Sequence, residues 1–248
     1  MDDPVLVRGL KRVGDLPRDR QILLHEGPVG RGNFCGRLAS HARIHSGKRV
    51  DPKRHASRLT CRMPFMKAVD PRVTFAELQQ WPDDGRRYEL YDGEVIVVPS
   101  PFPRHQRVAS NIEEILREYE HAAGGLMFRA PLDIVLSEHN VVQPDVVFFR
   151  KERRHLIDMM AATRAAPDLA VEVLSRSTEA RDRGRKMRLL ARFGVPEYWI
   201  VDPVKNTFEI YVLRGSAYER VAALGEHDDV TSPTLPDLTF PAGRVFAE

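Results

Sequence analysis

Two short apolar runs constrain the fold of this chain most, because each of them contains a single carboxylate. The run VVQPDVVFF contains Asp145, and the run LAVEVL contains Glu172. Continuous runs of Val, Leu and Phe are typical of β-strands that are covered on both faces. Burying a lone carboxylate costs several kcal/mol or forces the group to hold a proton. The sequence therefore predicts neighbouring buried strands with a functional reason for both acids.

A shared divalent cation is the simplest such reason. Two carboxylates, one backbone carbonyl and water form an oxygen-rich site, which is the kind that Mg²⁺ prefers. The alternative is that each acid lies at a strand end, where it is solvated or caps a neighbouring loop. The metal hypothesis requires Asp145 and Glu172 to lie on the same side of the sheet, within the coordination reach of one ion.

A lysine on the next helix supplies a third group. The pattern over residues 179–193 predicts a helix, and its apolar face is formed by Leu189, Leu190 and Phe193. Lys186 falls in the middle of that face, whereas three arginines fall on the opposite side: Arg185, Arg188 and Arg192. An inward lysine can extend its ammonium towards the carboxylates and orient an attacking water. The alternative is a surface ion pair with Asp182, four residues earlier.

The order of elements from residue 73 onward predicts an α/β protein. A capping box of Thr74 and Glu77 starts a short helix, and Asp92-Gly93 forms the turn of the hairpin RYELYDGEVIVV. An amphipathic helix over residues 104–122 precedes three strand candidates, LMFRAPLDIVLS, VVQPDVVFFR and PDLAVEVLS. The second helix, the strand EYWIVD and a hairpin of FEIYVLR and AYERVAA follow, and the Pro-rich tail TSPTLPDLTFPAGRVF is predicted as loop and edge. This order describes a central mixed sheet flanked by helices.

Residues 1–65 differ from the remainder in charge and pattern. They hold 14 Lys and Arg against 6 Asp and Glu, whereas residues 66–248 hold 24 against 29. Because they show no sustained period, we interpret them as a basic extension of low order. The extension is either native or an artefact of gene-start assignment, with Met63 or Met66 as the natural start. Residues 66–248 are predicted to form one domain. Because acidic residues outnumber basic ones there, any contact of this domain with DNA would be local.

Neither a membrane nor an oxidising compartment is indicated by the sequence. No run approaches the roughly 18 apolar residues of a membrane-spanning helix, and the N-terminus lacks the layout of a secretory signal. Cys35 and Cys61 are too few for a disulfide framework and fit a reducing environment. We therefore expect a cytoplasmic protein without a membrane partner.

The acids and the lysine together are similar to the PD-(D/E)xK nuclease signature. Pro144-Asp145 matches its first part, and Glu172 matches the acid of its acid-x-Lys triplet. The chain departs from the signature at Leu174, which stands where the lysine is expected, so Lys186 would replace it. This variant resembles a large bacterial restriction-endonuclease-like family that was first described as a domain of unknown function. The resemblance covers about residues 70–246 and rests on these segments: YELYDGE, PSPFPRHQRV, PLDIVLS, VVQPDVVFF, APDLAVEVLS, DRGRKMRLLARFGVPEYWIVDP and TSPTLPDL.

The resemblance implies a restriction-endonuclease-like core with an N-terminal hairpin, and it adds two candidate catalytic residues. Glu89 matches the early acid of the family and would complete the metal site or position a water. Its alternative is an exposed hairpin carboxylate, and Glu94 is a weaker competitor for the same role. His105 would contact the scissile phosphate, and its alternative is a solvent-exposed histidine in the first turn of a helix.

We therefore predict an Mg²⁺-dependent endonuclease that cleaves phosphodiester bonds in DNA, with Mn²⁺ as a substitute ion. Asp145, Glu172 and the Val173 carbonyl would hold the ion, while Lys186 orients the attacking water. Arg183 is expected near the phosphate backbone, and double-strand cleavage favours a two-fold homodimer. Two alternatives stay open: a catalytically inactive nucleic-acid-binding or structural module of the same fold, and a metal-free carboxylate-pair hydrolase such as a glycosidase.

Overall fold

The computed structural model describes residues 72–248, so the predicted extension over residues 1–65 and its boundary lie outside the described part of the chain. The strands are β1 (Arg87–Tyr91), β2 (Glu94–Val98), β3 (Leu126–Arg129), β4 (Ile134–Ser137), β5 (Asn140–Val142), β6 (Val146–Phe149), β7 (Leu169–Val173), β8 (Glu197–Asp202), β9 (Thr207–Arg214), β10 (Ala217–Gly225), β11 (Asp229–Thr231) and β12 (Thr239–Pro241). The helices are α1 (Phe75–Leu78), α2 (Pro103–Ala123), α3 (Glu179–Arg181), α4 (Met187–Arg192) and α5 (Gly243–Phe246). A 3₁₀ helix covers Lys151–Leu156, and a π turn covers Asp182–Lys186.

The first elements form as the local sequence predicts. The Thr74 hydroxyl accepts from the Glu77 amide at 3.2 Å, and the Glu77 carboxylate accepts from the Thr74 amide at 2.9 Å, which is the expected capping box. In the β1–β2 hairpin, Asp92 and Gly93 have φ angles of 51° and 85°. A Cβ at position 93 would lie 2.3 Å from the Cβ of Arg72, so only glycine fits there.

Helix α2 confirms the amphipathic pattern of the sequence. It spans 21 residues, begins with a proline in its first turn and ends at Gly124. Its buried side chains include Val108, Ile112, Ile115 and Leu116, which recur at helical spacing. None of the helices within residues 72–248 has both the length and the apolar character needed to cross a bilayer.

The central sheet has six strands in the order β10-β9-β8-β7-β6-β3. Strands β7 and β8 run parallel, and all the other pairs in this sheet are antiparallel. The N-terminal hairpin joins a second sheet, which has the order β2-β1-β5-β4. The predicted mixed sheet with an N-terminal hairpin is therefore confirmed.

Two of the predicted strands are in fact pairs of strands that lie in different sheets. The segment LMFRAPLDIVLS divides into β3 and β4, and VVQPDVVFFR divides into β5 and β6. Each division contains a proline, Pro131 or Pro144, which cannot donate a hydrogen bond to a ladder. Asp145 lies in the second crossover, immediately before β6, so its predicted position inside a strand is wrong.

Both faces of the central sheet are covered, as the apolar runs predict. Along β7, the side chains of Leu169, Val171 and Val173 enter the core cluster that contains α2 and the C-terminal tail. Ala170 and Leu174 enter the opposite cluster, with the residues of α4. Because side chains alternate along a strand, Glu172 shares this second face, towards the helix that carries Lys186.

The C-terminal tail is more ordered than predicted. Strands β11 and β12 pair antiparallel, and α5 packs against α2. Val230, Phe240 and Val245 are buried in the core cluster on the α2 side. The prediction of loop and edge holds for residues 232–238 and for β12, but it missed α5 and the burial of the tail. Isolated apolar residues between prolines carry no period, although together they cover one face of the sheet.

Candidate active site

The lysine proposed from the sequence is buried, and it lies at the end of a π turn in the second helix. The chain from Glu179 to Arg192 passes through α3, the π turn and α4 without a break. A π turn inserts an extra residue into a helix and is frequent at functional sites. Lys186 ends this turn with 1% of its surface exposed, next to the buried Leu189 and Leu190.

The Lys186 ammonium lies between two carboxylates from different sheets. Its Nζ atom is 2.5 Å from Glu172 Oε1 and 2.9 Å from Glu89 Oε1. Burial opposes the charge of the ammonium, but Glu172 and Glu89 outweigh it and raise the pKa of Lys186 well above its ordinary value. Lys186 is therefore a buried cation, and the alternative of a surface pair with Asp182 is wrong.

Glu89 lies behind this lysine. It is fully buried, and its Oε1 accepts from the Gln143 amide at 2.8 Å while its Oε2 accepts from the Tyr91 hydroxyl at 2.9 Å. The alternative of an exposed hairpin carboxylate is therefore wrong. Glu94 is the exposed one, and it pairs with Arg185 at 2.6 Å. Because both Glu89 oxygens already have protein partners, its geometry is that of a residue that positions Lys186.

Asp145 and His105 form a second contact pair. Asp145 Oδ2 accepts from the Val173 amide at 2.8 Å and lies 3.2 Å from His105 Nε2. His105 is 9% exposed, so the alternative of a solvent-exposed histidine is wrong. Burial lowers the pKa of His105, but the hydrogen bond and charge of Asp145 outweigh burial and raise that pKa above its ordinary value.

One cleft brings the predicted residues together. Asp145, Glu172, Val173, Lys186 and His105 all line it, whereas Glu89 does not. The cleft opens where the two sheets separate, beside the N-terminus of α2. The sequence therefore predicted most of the lining that carries charge, and the structure assigns Glu89 to the layer beneath it.

Arg183 lies elsewhere. Its guanidinium donates two hydrogen bonds to Glu209, at 2.9 and 2.8 Å, and a third to Glu179 at 3.2 Å. Arg183 does not line the cleft, so its contact with the phosphate backbone stays a prediction.

Sequence reasoning missed two contributors. The Gln143 amide holds Glu89, and the Gln143 carbonyl lies 3.5 Å from the Lys186 ammonium. Arg181 lines the cleft, with Nε 3.6 Å from Glu89 Oε2. Gln143 acts through its backbone, for which a sequence carries no signal. Arg181 is one of several arginines on its helix, and only the fold distinguishes it from the others.

The donor set on the cleft wall fits a hard divalent cation. Among residues 72–248, no three His, Cys, Asp or Glu side chains form a ready-made metal cluster. The cleft nevertheless presents two carboxylates and the backbone of Val173, and Asp145 Oδ1 has no protein hydrogen-bond partner within residues 72–248. Burial, together with Asp182 and Asp145, outweighs Lys186 and raises the pKa of Glu172 well above its ordinary value. A cation beside these acids would relieve that excess of negative charge.

Comparison with known proteins supports the fold and places the chain in a family. It is similar to a solved structure described as a "putative nuclease belonging to DUF820 from Anabaena variabilis ATCC 29413", with 19% sequence identity, a TM-score of 0.59, and coverage of 70% of this chain and 97% of that one. Comparison with curated proteins finds no match. A family model described as "Uma2: Putative restriction endonuclease" matches residues 75–243. The family description indicates a nuclease-type hydrolase with a nucleic-acid substrate. Because this match spans well over half of the chain, the protein belongs to the Uma2 family of restriction-endonuclease-like proteins.

Proposed function

We propose that this protein is a cytoplasmic, Mg²⁺-dependent endonuclease that hydrolyses phosphodiester bonds in DNA. The observation that carries the proposal is the convergence of Asp145, Glu172 and Lys186 on the wall of one cleft, although they come from a crossover, a strand and a helix. Two acids and a lysine in one cleft fit the chemistry of phosphodiester hydrolysis better than a structural role does.

Asp145, Glu172 and the Val173 carbonyl would hold the ion, and Mn²⁺ is the expected substitute. The ion would supply Lewis acidity towards a water and towards the phosphate. Asp145 keeps one carboxylate oxygen for this purpose, since the other already accepts from the Val173 amide and His105. The Val173 amide thus fixes the orientation of the Asp145 carboxylate before any ligand arrives.

Lys186 would orient the attacking water. An ammonium has three N–H donors, of which Glu89 and Glu172 take two. The third points to the Gln143 carbonyl across 3.5 Å, a contact long enough to be exchanged for a water or a phosphate oxygen in the cleft. Because two carboxylates keep the ammonium charged, Lys186 also stabilises negative charge that develops at phosphorus.

His105 would contact the scissile phosphate. Its pKa is raised by Asp145, so a larger fraction of the imidazole carries a proton near neutral pH than in a free histidine. Nε2 already faces Asp145 and Nδ1 is buried, so a hydrogen bond from the imidazole to a phosphate oxygen or to the leaving oxygen would replace the contact with Asp145. Cleavage of both strands of a duplex would use two such clefts in a two-fold homodimer.

Plasmid cleavage by the full chain tests the proposal. Supercoiled DNA is incubated with Mg²⁺, with Mn²⁺ or with excess EDTA, and the variants are Asp145→Asn, Lys186→Ala and the exposed control Asp229→Asn. Wild type and the control should produce relaxed and linear DNA with either ion, and Asp145→Asn should be slower by about 100-fold or more. Far-UV circular dichroism verifies that each variant is folded.

Each contrary result selects one alternative. Equal traces for wild type and Asp145→Asn would mean that the cleft is not catalytic, which leaves the inactive nucleic-acid-binding or structural module. Full hydrolysis in excess EDTA would support a metal-free carboxylate pair instead.

A further inference from the structure

Phe102 is an exposed aromatic residue at the mouth of the cleft. Its side chain is 76% exposed, and it is the aromatic member among the exposed large hydrophobic residues of the described chain. It lines the same cleft as His105, Asp145 and Glu172. The ring belongs to none of the core clusters formed by residues 72–248, so packing within this domain does not account for it.

The backbone that carries the ring is restrained. Phe102 lies between Pro101 and Pro103, and it is the N-cap residue of α2 with φ −80° and ψ 161°. Its carbonyl accepts from the Gln106 amide at 3.1 Å. Because proline restricts both neighbouring positions, a ligand that contacts the ring orders little additional backbone.

The cleft of Phe102 contains the acids Asp145 and Glu172, but two arginines beside it can receive an anionic ligand. Arg87 lines the cleft and the adjoining groove and donates to the Pro99 carbonyl. Arg176 is exposed between Ser175 and Ser177, which both line the cleft. Within residues 72–248, neither arginine has a carboxylate at salt-bridge distance. The N-terminus of the 21-residue helix α2 adds partial positive charge at the same place.

We propose that Phe102 is a stacking platform for an unpaired base of a DNA strand whose phosphates pass Arg87 and Arg176 into the cleft. An aromatic face next to phosphate-binding arginines is the arrangement that holds single strands, because every base offers a flat apolar surface. A base inside a regular duplex is already stacked on both sides. The site therefore takes single-stranded or locally unpaired DNA in preference to a perfect duplex, which deepens the proposed function by naming the substrate form.

Equilibrium binding tests this without cleavage. The full chain in EDTA is titrated into a short fluorescein-labelled single strand and into the matching duplex, and affinity is measured by anisotropy. A second single strand carries a fluorescent adenine analogue whose emission is quenched by stacking. The variants are Phe102→Ala, Phe102→Trp and the control Met160→Ala, which removes another exposed hydrophobic side chain, 93% exposed and outside the cleft.

Phe102→Ala should weaken single-strand binding by about 5- to 100-fold and abolish the quenching. Phe102→Trp and Met160→Ala should match wild type. The proposal is overturned if Phe102→Ala binds the single strand as wild type does, if duplex affinity falls equally, or if wild type does not bind the single strand. Phe102-dependent binding without plasmid cleavage would refute only the proposed endonuclease. Cleavage with binding that is independent of Phe102 would refute only the stacking platform.

Discussion

Glu172 and Glu197 lie in adjacent parallel strands and are almost equally buried, yet their environments differ. Glu197 accepts from the Trp199 indole at 2.5 Å, from the Ser232 hydroxyl at 2.8 Å and from the Thr234 amide at 2.8 Å, which are all neutral donors. Glu172 instead contacts the ammonium of Lys186 and has other carboxylates nearby. Glu197 fastens the C-terminal tail to the sheet, whereas Glu172 lines the cleft. Burial of an acid is thus a weak sign of function by itself, and the kind of donor that accompanies it is the stronger sign.

The largest effect on the free energy of unfolding is expected when the Lys186 ammonium is removed. Lys186→Met leaves Glu89 and Glu172 buried without their shared partner, so unfolding should require about 3–5 kcal/mol less at neutral pH. Urea titration monitored by tryptophan fluorescence measures this. A double variant with Glu172→Gln should recover part of the loss, because one buried charge then disappears. A loss below about 1 kcal/mol in the single variant would contradict the description of Lys186 as the centre of this cluster.

Glu197→Gln should have an intermediate effect on stability and none on the cleft. In this variant an amide N–H faces a hydrogen-bond donor where the Glu197 carboxylate oxygen accepted a hydrogen bond. The expected loss in the free energy of unfolding is about 1–3 kcal/mol. Cleavage per folded molecule should stay unchanged, since Glu197 does not line the cleft. If this variant slowed cleavage as much as Asp145→Asn does, the contrast between the two buried acids would be lost.

Glu209, a buried acid whose Arg183 partner is partly exposed, should give the smallest effect. Its hydrogen bonds with Arg183 hold the pKa of Glu209 below its ordinary value, so the folded state favours the charged form. This stability is complete above the ordinary glutamate pKa and is lost as the pH falls through the lowered folded value. Glu209→Gln should therefore cost less than about 1 kcal/mol at neutral pH and nothing in strong acid. Thermal unfolding across that pH range measures the difference in stability between wild type and Glu209→Gln. A difference that grows as the pH falls would contradict the lowered pKa of Glu209.

The sequence predicted the secondary-structure elements and the residue types of the site well. It did not predict how the strands are divided between the two sheets. Alternation and helical periodicity identified most strands and helices, because burial imposes those periods on the residues themselves. The divisions at Pro131 and Pro144 were missed, since a strand that changes sheets keeps its apolar character on both sides. Asp145 was consequently predicted inside a strand, although it lies in the crossover between two sheets.

The sequence also did not reveal how deeply each side chain is buried relative to the cleft. Glu89 and His105 were named from the family resemblance, but only the fold shows that Glu89 lies beneath Lys186 and that His105 lines the cleft. The π turn was also missed, because a regular helix was assumed over residues 179–193. No residue type marks such a turn, so its effect on neighbouring side chains appears only in three dimensions.

In the acid-x-Lys triplet of the signature, one strand supplies both the acid and the lysine. In this protein the lysine comes from the π turn of the helix instead. With the ammonium supplied from the helix, position 174 carries Leu174, which is 4% exposed and packs in the core. Substitutions at position 174 can therefore change the stability of the sheet without altering the charge of the cleft. Conversely, the position of the ammonium depends on the register of one helix, so shortening that helix by a single residue would rotate the lysine away while leaving every strand intact.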